Sequence, residues 1–137
     1  METKQNEPTH NRPKGDRTLD APCVEIELVK FVRQIKQEDA WYKNDRNAIT
    51  VFKSDNLTIV VNALRAGAKM AKENAADVMS VQVLNGDLEI NINSNHKELA
   101  GGQMVVIHKG YTYEIVAKND AVFILWVYHV SGTDTIQ

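Results

Sequence analysis

The sequence has almost no cysteine. Cys23 is the only one in 137 residues, so an internal disulfide is excluded and stability must come from packing. Neither charge is in excess. Sixteen basic and 18 acidic side chains leave a formal net charge of −2, which gives no electrostatic reason to expect nucleic acid or an anionic membrane as partner. Long apolar runs are also missing. The longest, Ala121 to Tyr128, falls far short of the ~18 residues of a membrane span. The polar opening METKQNEPTHNRPKGDR lacks the apolar core of ~7–15 residues that a secretory signal needs, so a soluble, cytoplasmic protein is expected. Internal repeats, low-complexity stretches and the phosphate-loop, nucleophile-elbow and C-x-x-C patterns are absent too. What remains is ordinary: 43% hydrophobic and 25% charged residues describe a folded chain, long enough for one domain that buries roughly two-thirds of its unfolded surface.

Alternation dominates the pattern. Val24, Ile26 and Leu28 alternate with Glu25 and Glu27, which predicts a strand with one wet face. Leu28, Phe31, Val32 and Ile35 then recur at helical spacing, and the helix they predict ends within 38–45, where Trp41 packs back on the body. Strands are predicted next over 48–53 and 57–64, then over 78–84, where Met79, Val81 and Val83 share one face. Asn85-Gly86 reads as a hairpin turn leading into Leu88, Ile90 and Ile92. The polar stretch 93–98 reads as a solvated loop, and strands over 104–108, 112–117 and 122–130 complete the set. Short strands at this spacing point to an all-β sandwich or barrel. Residues 1–20 are expected to form a flexible arm, and 21–137 a single domain.

Glycine is scarce, seven in all, and its placement is more telling than its number. Gly67 is followed by five residues, Glu73, one residue, Ala75, three residues, Met79, six residues and Gly86. Gly102 is followed by five residues, His108, one residue, Gly110, two residues, Tyr113, three residues and Ala117. These spacings match G-x5-H-x-H-x3-4-E-x6-G and G-x5-P-x-G-x2-H-x3-N, the two motifs of the cupin superfamily, and the chain resembles its small single-domain bacterial members of the RmlC-like type. The resemblance covers about residues 57–130. It implies a double-stranded β-helix, the jelly-roll barrel of two facing sheets, here with a short N-terminal helix.

The resemblance also implies where a metal would be held, and the residues there depart from it. Glu73, Ala75 and Met79 stand at the first motif's ligand positions and Tyr113 at the second's, none of them histidine. Alanine has no donor atom, a thioether suits Fe²⁺, Mn²⁺ or Zn²⁺ poorly, and two oxygen donors fall short of the three that a catalytic zinc takes from protein. No metal and no other cofactor is therefore expected. His108 reads as a turn residue, His96 as a loop residue, His129 as the end of a strand and His10 as part of the arm. The ligand pocket is expected at Glu73, Ala75, Met79 and Tyr113. Glu73 and Tyr113 are the candidate catalytic pair, an inward carboxylate beside a phenol. The leading expectation is a cupin-fold protein that has lost its metal ligands, a non-enzymatic module that binds a small organic molecule or serves structure. The alternative is a metal-independent isomerase or epimerase acting on a sugar-like substrate through Glu73 and Tyr113. Ala121–Tyr128 is apolar on both faces, and with Trp126 and Tyr128 it points to a homodimer. Cys23 has no neighbouring signature of a catalytic thiol.

Overall fold

Hydrophobic alternation from residue 46 onward builds two facing antiparallel sheets, and a computed structural model shows how the chain divides between them. The structure describes residues 4–6, as backbone only, and 17–129. Strands β1 (Lys4–Asn6) and β2 (Arg17–Asp20) pair antiparallel ahead of two short helices, α1 (Leu28–Ile35) and α2 (Asp39–Lys43). Then follow β3 (Arg46–Lys53), β4 (Leu57–Leu64), β5 (Lys69–Lys72), β6 (Val78–Asn85) and β7 (Asp87–Ile92). The chain continues through β8 (Asn95–Ala100), β9 (Met104–Ile107), β10 (Tyr113–Ala117) and β11 (Ala121–Tyr128). One sheet runs β3-β4-β11-β6-β9, the other β5-β10-β7-β8. Among the described residues no helix is long and apolar enough to cross a membrane.

Two cores result, one on each side of the five-stranded sheet. Between the sheets, Val81, Val83, Leu88, Ile90, Ile115 and Phe123 are fully buried. On the outer side, Ile49, Val61, Val122 and Ile124 pack beneath Ile35 of α1 and Trp41 of α2. β11 serves both, because successive side chains of a strand point to opposite faces. The Arg65 guanidinium lies 3.9 Å from the centre of the Trp41 ring and donates to the Trp41 carbonyl at 2.8 Å, fixing α2 on the sheet.

Several expectations need correction. Val24, Ile26 and their acidic neighbours do alternate in exposure, yet residues 24–27 pair with no strand among the described residues, and α1 already begins at Leu28. Alternation reports one-sided burial, and a strand needs a ladder partner as well. Residues 4–6 and 17–20, assigned to a flexible arm, pair as strands. Leu19 and Asp20 are buried, and Arg17 donates to the Thr50 carbonyl and lies over the Phe31 ring. The polar stretch 93–98 is no loop beyond its first two residues. Ile92 pairs with Asn95, so Asn93-Ser94 closes a tight hairpin, with Asn93 at φ 53°. Asn85-Gly86 closes none, because β6 pairs with β11 and β9 whereas β7 pairs with β10 and β8. Gly86 is instead the corner where the chain leaves one sheet for the other.

Candidate functional site

The four glycines of the two spacings are all left-handed: Gly67 at φ 85°, Gly86 at 82°, Gly102 at 89° and Gly110 at 88°. They turn the chain at the strand ends and so fix which residues enter the barrel. Met79 occupies an inward position of β6 and is 5% exposed. Tyr113 opens β10 and is half-buried against the same core. Its hydroxyl donates to the Met79 sulfur at 3.6 Å. A thioether accepts weakly, so the contact is mostly packing. Burial pushes the Tyr113 hydroxyl above the usual phenol range, because desolvation disfavours the phenolate.

Ala75 is buried in the loop after β5, and that loop is clasped to the one before β10. The Ala75 amide donates to the Tyr111 carbonyl at 3.0 Å, and the Gly110 amide donates to the Ala75 carbonyl at 2.6 Å. The neighbouring Asn74 amide reaches Thr112 Oγ1 at 3.2 Å. These bonds tie the two loops together at this end of the barrel.

Glu73 is exposed, so the inward carboxylate expected beside Tyr113 is corrected. An ionised carboxyl inside a barrel of Leu, Ile, Val and Met would forfeit its hydration with nothing to replace it. Glu73 and Tyr113 are not hydrogen-bonded to each other. They do border one open groove of about 320 Å³ at the rim of the four-stranded sheet, together with Lys72, Thr112 and the outward-facing Asn91 and Glu114. Ala75 and Met79 are not among the residues that line this groove.

The histidines stand apart from this place. His108 is exposed in the turn after β9. His96, expected in a loop, sits on β8, where Nδ1 contacts Asn91 Oδ1 at 2.8 Å and Glu89 at 3.2 Å on the outer face of the four-stranded sheet. His129 Nε2 lies 2.7 Å from Thr58 Oγ1, and Nδ1 lies 3.4 Å from Asp77. His10 lies outside the described residues. No three His, Cys, Asp or Glu side chains among the described residues come together to hold a metal ion.

The architecture matches known structures. A cupin superfamily protein from Desulfitobacterium hafniense superposes with a TM-score of 0.61 at 14% identity, over 64% of this chain and 80% of that one. An RmlC-like cupin from Shewanella frigidimarina gives 0.59 at 13% identity, over 64% and 79%. The chain has the cupin fold. A single-residue mutant of salicylate 1,2-dioxygenase from Pseudoaminobacter salicylatoxidans superposes with a TM-score of 0.65 at 16% identity, over 80% of this chain and 37% of that one. No family model matches the sequence, and no curated protein does. At these identities the likeness establishes the fold alone, and the site must be judged on its own donors. The cupin fold implies a metal at the place described. An exposed carboxylate, an alanine methyl, a buried thioether and a phenol bonded to that thioether do not fit one.

Proposed function

We propose that the chain is a non-enzymatic cupin module, structural or small-molecule-binding, in which the metal-ligand positions have been given over to packing. One observation carries the reading. The Tyr113 hydroxyl and the Met79 sulfur meet where a cupin would direct its donors, inside a core otherwise made of aliphatic side chains and Phe123. The loop clasp at Ala75 acts in the same direction, since it ties down the chain that would carry a first-motif histidine. Binding of a small organic molecule then falls to the rim groove rather than to the barrel interior. Elemental analysis of protein purified without chelator or histidine tag is expected to find transition metal far below one equivalent per chain. One full equivalent would overturn the reading.

The shared groove favours a second reading, a metal-independent isomerase or epimerase in which Glu73 and Tyr113 exchange protons with a sugar-like substrate. Native mass spectrometry separates the two. A co-purified ligand that keeps its mass in D2O fits the first, whereas one that takes up a non-exchangeable deuteron with the native chain but not with Glu73→Gln or Tyr113→Phe favours the second.

A further inference from the structure

Just past the end of β11 the chain brings a hydroxyl, an imidazole and a carboxylate together. His129 Nε2 lies 2.7 Å from Thr58 Oγ1, and His129 Nδ1 lies 3.4 Å from Asp77 Oδ2. Topology explains the meeting. β11 runs between β4 and β6, so the residue that follows it is flanked by the beginning of each. Thr58 is the second residue of β4, and Asp77 immediately precedes β6. The His129 amide donates to the Asn56 carbonyl at 2.8 Å and holds the backbone there. Thr58 and Met79 both pair with Val127, and Met79 and Val127 pack on the barrel core. The three polar side chains therefore lie on the barrel side of the sheet, where it meets solvent. The imidazole is 38% exposed and the Asp77 carboxylate 30%, so a small reagent can reach them.

The order is that of an activated hydroxyl. A carboxylate facing Nδ1 favours the imidazole tautomer that carries its proton there. The Nε2 lone pair is then left to accept from the Thr58 hydroxyl, and 2.7 Å is within reach for proton transfer during attack. The Asp77 contact is looser, as such contacts are before a substrate binds. His96 offers no such arrangement, since it faces Asn91, Glu89 and Glu98 and no hydroxyl.

We propose that Thr58 is a covalent modification site, acylated by activated esters or thioesters with His129 as general base and Asp77 positioning the imidazole. Thr58 Oγ1 attacks the carbonyl carbon of the donor, and the hydroxyl proton passes to His129 Nε2. A carbon–oxygen bond to Thr58 forms while the bond to the leaving oxygen or sulfur breaks. The leaving group departs with that bonding pair and takes up the proton from His129. A threonine ester is an ordinary alkyl ester, far less reactive than its donor, so the acyl group accumulates on the chain instead of turning over. The modification is thus compatible with a non-enzymatic module and independent of any ligand in the rim groove. An acyl donor suits the site better than a phosphoryl donor, because the one formal charge among the three side chains is the Asp77 carboxylate, which repels phosphate.

Treatment of the full chain with p-nitrophenyl acetate, followed by peptide mass spectrometry, tests the proposal. Acetylation is expected on the peptide that holds Thr58, and it is expected to disappear from that peptide when the native chain is treated in urea. His129→Gln is expected to slow acetylation of Thr58 about a hundredfold or more. Asp77→Asn is expected to slow it about tenfold or more. Thr58→Ser keeps a hydroxyl in place and is expected to be acetylated at the same position, whereas Thr58→Val is not. Acetyl groups confined to lysines of the native chain would overturn the proposal. So would a rate at Thr58 that is unchanged in urea, or unchanged in a His129→Gln chain whose far-ultraviolet dichroism matches the native one.

Discussion

Gly86 shows how much a single residue decides in this chain. A Cβ built on it would stand 2.5 Å from the Asp120 carbonyl oxygen and 2.8 Å from both Ala121 Cα and Asn119 Oδ1. Two of these atoms are backbone and cannot rotate away, and the third is held, since Asn119 bonds Asp87 through both its amide oxygen and its nitrogen. Gly102 has a similar φ but nothing within 4 Å of its Cβ position. Gly102→Ala is therefore expected to cost only backbone strain, about 1–3 kcal/mol. Gly86→Ala is expected to cost distinctly more, because steric overlap is added to the strain. Urea unfolding of the two variants measures the difference, and equal losses would mean that the corner relaxes freely. At the same scale, the lack of histidine at Glu73, Ala75 and Tyr113 and of glutamate at Met79 was legible from spacing alone. The outward turn of Glu73 was not, because it depends on what fills the barrel.

Elements are held together by a few polar contacts that no periodicity announces. Asn47, on β3 and 9% exposed, donates through Nδ2 to the Ile35 carbonyl at 3.0 Å and to Glu38 Oε1 at 2.9 Å. It thereby ties the end of α1 and the start of α2 to the sheet, and satisfies one of the carbonyls that a helix leaves open at its C-terminus. Asn47→Ala is expected to destabilise the fold by about 1–3 kcal/mol, read as a lower denaturation midpoint, because a buried acceptor loses its donor. The helix itself was legible, since Phe31, Val32 and Ile35 announce it at 3.6-residue spacing. β5 and β8 were not. They are the edges of the four-stranded sheet, and Met70 and Leu99 are the residues they turn toward the core. Their sequences, KMAK and NHKELA, carry too little apolar alternation to register, and neighbouring strands recruit them through backbone hydrogen bonds.

For the whole molecule, β11 is the strand on which both cores depend. Phe123 fills the barrel while Val122 and Ile124 serve the helix side, and each is 1% exposed or less. The two cores should therefore unfold together. Phe123→Ala is expected to lower stability by about 3–5 kcal/mol while leaving one cooperative transition. Near- and far-ultraviolet dichroism should give the same midpoint, and separate midpoints would mean that barrel and helix layer are independent units. The same strand also carries Trp126 and Tyr128, which are exposed beyond the helix-covered part of the sheet.

The sequence by itself determined what is local: which residues alternate, which face the strongly alternating strands bury, where a left-handed turn is required, and which positions lack a metal donor. Those properties follow from side-chain chemistry and from the periods of two and 3.6 residues, so spacing alone was enough to place the chain near the cupins. Only the tertiary structure decided what depends on distant partners. It placed Asn85-Gly86 at a corner between sheets and the hairpin at Asn93-Ser94, because a hairpin exists only when the two flanking strands choose each other. It turned Glu73 to solvent and joined Tyr113 to Met79, because the barrel was already full of aliphatic side chains. Among the described residues, it left Met104, Val106, Trp126 and Tyr128 exposed on the part of the sheet that α1 and α2 do not cover.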